Sequence, residues 1–144
     1  MKYYIKADFV SPYLKSVRIS HRLYFKAFMV VFMMQVASVI LSYTKPTVCR
    51  VRPCGDAYPG YSFPSEHVMT TVCLYGIVIW LIFYYVSNKF WKYFLVTIFT
   101  IFIFLILLSR LWLNFHYLTD VLAGTFLGII LVNLYIIICR KMNL

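Results

Sequence analysis

The 144-residue chain reads as an all-α integral membrane bundle: four transmembrane helices, preceded by an N-terminal interfacial helix, in a single domain. Three observations lead there. The composition is 63% hydrophobic and only 12% charged, about half the charged share of an ordinary soluble domain. The apolar residues gather into four long runs separated by short polar segments. Those runs are apolar all round, whereas the helices of a soluble bundle keep a polar outer face. In lipid a lone segment satisfies its backbone hydrogen bonds only as a helix, so each run is expected to be one.

Residues 1–26 are basic and amphipathic. Tyr13, Leu14, Val17, Tyr24 and Phe25 recur at helical spacing, with Lys15, Arg18, Arg22 and Lys26 between them. Such a segment lies at the headgroup level, attracted by anionic lipid. Its basic start would suit a cleavable signal peptide, but no small-residue cleavage site follows the first apolar run. Asp8 and His21 within it read as solvated surface residues. The spans are expected at residues 27–43, 68–86, 93–108 and 121–139, close to the roughly 20 residues a bilayer requires. Trp91, Tyr93, Tyr43, Trp112 and Tyr117 fall near their ends, where interfacial aromatics belong. On the fourth span Gly124 and Gly128 form a small-residue strip suited to close packing inside the bundle. Cys73 and Cys139 read as packing residues.

Charge sets the direction. Fourteen Lys/Arg stand against four Asp/Glu. Lys45, Arg50, Arg52 and Arg110 fall on one side of the membrane, and the other ten bases on the side holding both termini. Basic loops stay in the cytoplasm, so both termini are expected there, in a multi-pass protein of the cytoplasmic (inner) membrane. The basic surplus thus concerns the bilayer, and no nucleic-acid partner is expected. The acids are Asp8, Asp56, Glu66 and Asp120. Four scattered carboxylates cannot build the oxygen-ligand clusters of two-metal phosphatases and nucleases, so no metal or cofactor is expected.

Almost every side chain capable of chemistry lies on the extracytoplasmic side. The segment between spans one and two carries Lys45, Arg50, Arg52 and Pro53, then Pro64-Ser65-Glu66-His67. The turn between spans three and four carries Ser109-Arg110, His116 and Asp120. Helices that alternate in direction bring both segments to one membrane face. There the cations would attract a phosphate dianion, with Arg52 and Arg110 binding in bidentate fashion and Lys45 as a point charge. Ser65 stands at the N-cap position of the second span, whose free N–H groups favour an anion. His116 and Asp120, four apart, share one face at the start of the fourth span; the carboxylate would hold the imidazole in one tautomer and leave its other nitrogen free to attack. His67 is a second titratable group, able to protonate a leaving alkoxide. Taken singly, the loop cations read as lipid-head anchors and Asp120 as a helix-dipole partner. Those readings leave unexplained why nearly all the extracytoplasmic charges fall into one phosphate-handling pattern.

The segments Lys45-x6-Arg52-Pro53, Pro64-Ser65-Glu66-His67 and Ser109-Arg110-x5-His116-x3-Asp120 resemble the three-part signature of the type 2 phosphatidic acid phosphatases, relatives of the vanadium-dependent haloperoxidases. The resemblance covers about residues 27 to 139. It implies a metal-free lipid phosphatase in which Lys45, Arg52, Ser65 and Arg110 bind phosphate, with His116 the nucleophile, His67 the general acid and Asp120 orienting His116. Glu66 belongs to the phosphate-binding segment through its backbone N–H, at a position the family pattern gives to Gly. Its carboxylate needs a cationic partner, for which Arg50 is the candidate. Acidic variants there resemble polyprenyl diphosphate phosphatases, which tilts the substrate that way. Membrane members of the family usually have six spans, and the four here correspond to the last four. The missing pair would be replaced by the interfacial helix, supplied by a second copy or another partner, or simply lost in a shortened relative.

The expected activity is removal of phosphate from a lipid phosphomonoester or diphosphate through a phosphohistidine. A lipid phosphotransferase and a non-catalytic lipid-head binder remain the alternatives. Cys49 and Cys54 flank residues 50–53, and their spacing admits a disulfide or two free thiols equally.

Overall fold

The computed structural model describes residues 7–55 and 58–142, with side chains from Leu23 onward. Four helices follow one another: α1 Ala7–Val48, α2 Glu66–Tyr85, α3 Lys89–Trp112 and α4 Leu118–Lys141. There is no strand among the described residues. Each helix contains a stretch long and apolar enough to cross a bilayer, at Leu23–Val48, Glu66–Tyr85, Lys89–Trp112 and Leu118–Lys141. At 1.5 Å per residue, a 24-residue helix rises about 36 Å, enough for a hydrocarbon core of roughly 30 Å.

The expected segment 1–26 and the first span are not separate elements, because α1 runs unbroken for 42 residues. The interfacial face read for residues 1–22, with Asp8 and His21, lies outside the described side chains. All four spans are longer than expected at the end that bears the polar motifs, where helix geometry carries on into them. Lys45 is thereby on the last turn of α1, Glu66 and His67 on the first turn of α2, Arg110 on the last turn of α3 and Asp120 on the first turn of α4. Hydropathy ends at the first charge, whereas helical hydrogen bonding ends only at a cap. Cys49 ends α1 with a positive φ of 51° and an N–H donated to the Lys45 carbonyl at 3.0 Å, the left-handed stop seen at many helix ends. Asn114 does the same after α3, with φ 55°.

α2 and α4 form the central pair, with α1 and α3 flanking them. Met29, Met33, Ala37 and Leu41 make a buried ridge four residues apart along α1, packed against Met69, Cys73 and Ile77 of α2 and Leu131, Tyr135 and Cys139 of α4. Lys45 is the next position on that ridge, so the packing that seats α1 also aims Lys45 toward the start of α2. A second cluster, Val68, Val72 and Val121, receives Ile103, Leu107 and Leu111 of α3. Gly124 and Gly128 pack inside the bundle, as expected. A Cβ on Gly124 would fall 2.7 Å from the Ser65 carbonyl oxygen, and one on Gly128 2.9 Å from that of Met69. Only glycine permits this approach of α4 to α2.

At the opposite end of the bundle Lys26, 4% exposed, donates to the Tyr85 hydroxyl at 2.8 Å. Its ammonium lies 4.3 Å from the Tyr84 ring centroid and 4.8 Å from that of Tyr85. The aromatic faces compensate part of the cost of burying the charge.

Candidate active site

Four helix ends and two loops converge at one end of the bundle. The convergence is direct: the Ser65 N–H donates to the Asp120 carbonyl at 3.1 Å, joining the start of α2 to the start of α4. His67, exposed on the first turn of α2, stands in the combined field of Arg110, Glu66, Lys45 and Arg52. Every sequence-predicted site residue is thus at this one mouth.

His116 is 4% exposed and lies in the bend before α4, not on the helix itself. Its Nδ1 is 2.8 Å from the Ser62 carbonyl oxygen. A carbonyl can only accept, so Nδ1 carries the proton and Nε2 bears the lone pair. Nε2 in turn lies 3.3 Å from Arg52 Nη1, which donates to it. Burial holds the His116 pKa below the ordinary imidazole value. The Arg52 charge pushes the same way, against weaker upward pulls from Ser62 and Asp120. Both effects favour the neutral imidazole, whose Nε2 carries the lone pair.

The Nδ1 acceptor differs from the expected one. Asp120 Oδ2 is 3.6 Å from Nδ1, too far for a hydrogen bond. That oxygen instead accepts the Tyr117 N–H at 2.9 Å, closing the first turn of α4. The other oxygen, Oδ1, takes Arg50 Nη1 at 2.9 Å. Asp120 is an electrostatic neighbour of the imidazole, while the Ser62 carbonyl fixes the tautomer. No side-chain type could have marked Ser62 in the sequence, since its contact with His116 is through the main chain.

One further expectation changes. Arg50 does not pair with Glu66. It pairs with Asp120, donates to Thr119 Oγ1 at 2.6 Å and lies over the Tyr117 ring at 4.1 Å. Glu66 binds Lys45 instead, Nζ to Oε2 2.6 Å, because the α1 ridge delivers Lys45 to that helix start. Cys49 and Cys54 are free thiols, and Cys49 Sγ donates to the Pro46 carbonyl at 2.7 Å.

Arg52 is 9% exposed. Nε donates to the Gly60 carbonyl and Nη1 to the Phe115 carbonyl, each at 3.2 Å, and the guanidinium lies 4.8 Å from the Tyr58 ring centroid. These contacts lock its fork beside Nε2. The N-cap of α2 is Ser65, as expected, but its hydroxyl caps nothing. Ser65 Oγ and Arg110 Nε are both buried without a hydrogen-bond partner among the described residues. An unpaired buried donor costs on the order of 1–3 kcal/mol, and both of these are available to a ligand acceptor. Among the described residues no three His, Cys, Asp or Glu side chains come together as metal ligands. Two carboxylates stand here, Glu66 and Asp120, each paired with a cation; the remaining side chains are mostly donors and cations, a set whose chemistry suits an oxyanion.

A family model described as the PAP2 superfamily matches residues 25–143. None of the curated proteins matches the chain. Among solved structures, the first transmembrane PAP2 type phosphatidylglycerolphosphate phosphatase from Bacillus subtilis aligns with a TM-score of 0.72 at 23% identity. The alignment covers 94% of this chain and 71% of that one. At that identity the likeness is one of fold.

Proposed function

The chain belongs to the PAP2 superfamily, and from that premise we propose that it is an integral membrane lipid phosphatase working through a phosphohistidine on His116. The observation that carries this reading is the pairing at one mouth of a lone-pair-bearing Nε2 with oxyanion donors. Arg52 lies at 3.3 Å, and Ser65 Oγ and Arg110 Nε are buried and unpartnered among the described residues. Such a site stabilises the charge that builds on the equatorial oxygens of a transferring phosphoryl group.

Neutral His116 attacks phosphorus through Nε2 as the bond to the leaving oxygen breaks. The leaving group is the lipid alkoxide of a monoester, or a phosphorylated lipid for a diphosphate. His67, exposed at the start of α2, gives it a proton. Water then cleaves the P–N bond, passing a proton back to His67 and releasing inorganic phosphate. Through this cycle Nδ1 keeps its bond to Ser62, so the imidazole does not turn. A lipid substrate follows from placement, because the donors stand at the headgroup level above apolar spans.

The test is phosphate release in EDTA from undecaprenyl diphosphate, phosphatidylglycerol phosphate, phosphatidic acid and lipid A phosphate, with wild-type and His116→Ala proteins. Wild-type turnover should survive EDTA, and His116→Ala should lower it by about 10³-fold or more. Substantial turnover by His116→Ala would sink the assignment. Affinity without turnover in the wild type would favour a headgroup binder, and labelled phosphate on an acceptor lipid would identify a phosphotransferase.

A further inference from the structure

We propose that Glu66 competes with phosphate for Lys45: its carboxylate holds the ammonium between turnovers, yields it to the incoming phosphoryl group, and retakes it as inorganic phosphate leaves. The proposal rests on the reading of this mouth as a phosphate site, and adds to it a residue that sets how tightly phosphate is kept.

Two carboxylates stand at the mouth, and their surroundings differ. Asp120 is fully buried. One of its oxygens is paired with Arg50 at 2.9 Å, and the other accepts the Tyr117 N–H to close the first turn of α4. Arg50 is itself held by Thr119 and by the Tyr117 ring. That pair is part of the fold. The Glu66 side chain is 53% exposed and has one side-chain partner among the described residues, Lys45 at 2.6 Å. Lys45 is only 23% exposed and stands at the end of the α1 ridge packed against α2 and α4. When the pair opens, the glutamate is the member free to turn into water, and the ammonium stays.

At rest Glu66 does what a phosphate would do. It puts a negative charge on the first turn of α2, where the helix dipole favours an anion. It also occupies the cation that α1 supplies to the mouth. Ser65 Oγ and Arg110 Nε have no such stand-in among the described residues. A phosphoryl group carries more charge and more acceptor oxygens than a carboxylate, so it can take Lys45 over. It binds more weakly by the strength of the pair it displaces. That loss falls on substrate and product alike, but a lipid substrate keeps its tails in the bilayer, whereas inorganic phosphate has the polar contacts alone. Glu66 therefore shortens the stay of the product.

The experiment titrates inorganic phosphate into the full-length, histidine-labelled protein in phosphatidylcholine nanodiscs. The ring resonances of His67 and His116 report binding at fixed pH and ionic strength. Glu66→Gln keeps the shape and removes the charge. Its Kd for phosphate should fall by about fivefold, and phosphate should inhibit lipid hydrolysis at correspondingly lower concentration. Glu66→Asp keeps the charge and should stay within about twofold of wild type. Lys45→Gln should weaken phosphate binding more in the Glu66→Gln background than in the wild type, because only there is the ammonium free from the start. Unchanged or weaker phosphate binding by Glu66→Gln overturns the proposal, as does equal tightening by Glu66→Asp. A larger effect of Lys45→Gln in the wild type would overturn it too, since Glu66 would then act by repelling phosphate directly. If Glu66→Gln does not reach the membrane, Glu66→Gly decides on the same readout, tighter binding supporting the proposal and any other result overturning it. The titration needs no turnover, so a protein that binds phosphate without hydrolysing lipid sinks the reaction and leaves this result standing. Absence of phosphate binding in every variant would sink the phosphate-site reading and the proposal with it.

Discussion

His116 is held from both nitrogens, by a carbonyl at 2.8 Å and a guanidinium at 3.3 Å. That pair of contacts decides its protonation more than the carboxylate four residues away. With a pKa below the usual value of about 6.5, the neutral form is complete above that range and is lost only as pH falls through the depressed value. The acid limb of kcat/KM should accordingly lie below the ordinary imidazole range, read from a pH profile of lipid phosphate release. A limb above it would mean that Asp120, not burial, governs the ring. The motif spacing pointed to Lys45, Arg52, Ser65, Arg110, His67, His116 and Asp120, and all of them come together. What the spacing could not reveal was pairing. Lys45 meets Glu66 across 21 positions and Arg50 meets Asp120 across 70, distances along the chain that no local pattern encodes. The Lys45–Glu66 pair also answers how an acidic residue is tolerated beside an anion site, since its charge is already matched.

At the scale of the helices, the polar motifs are helix ends. Each span continues into its motif, which gives the proposed catalytic side chains a rigid mount. The α2–α4 contact is the narrowest part of that mount. A Cβ on Gly124 meets the Ser65 main chain at 2.7 Å, and one on Gly76 meets the Val132 side chain at 2.6 Å. A backbone atom cannot yield as a methyl can. Gly124→Ala should therefore cost about 1–3 kcal/mol, displace Ser65 and lower both the thermal midpoint in detergent and kcat/KM. Gly76→Ala, away from the mouth, should lower the thermal midpoint less and leave kcat/KM as it is. Equal losses of activity in the two would show that helix separation alone, without a push on Ser65, sets the rate. The small-residue strip was legible as a packing face. Its partner became visible only once α2 lay against it.

For the molecule as a whole, antiparallel succession collects the charges of the polar motifs at one end and leaves Lys26 at the other. Sequence alone counted Lys26 among the orientation-setting bases, and the bundle gives it a second task as a buried cation tying α1 to the aromatic end of α2. From the remaining basic residues at that end, we propose that it faces the cytoplasm. Reporter fusions after residues 90 and 143 should both report the cytoplasm, and an extracytoplasmic signal at either would invert the topology. The PAP2 match over residues 25–143 and the aligned B. subtilis fold agree with an all-helical membrane protein.

The amino-acid sequence by itself determined the number of spans, their alternation and the end at which the chemistry gathers. Those properties follow from apolar run length and charge count, which are local sums along the chain. It also supplied the residue types of an oxyanion site, since motif order and spacing are one-dimensional. The tertiary structure decided which charge meets which, that a main-chain carbonyl sets the His116 tautomer, and that Arg50 pairs with Asp120. Hydrogen bonds depend on distance and direction in space, and a carbonyl is the same at every residue, so none of these could be read before the helices were packed.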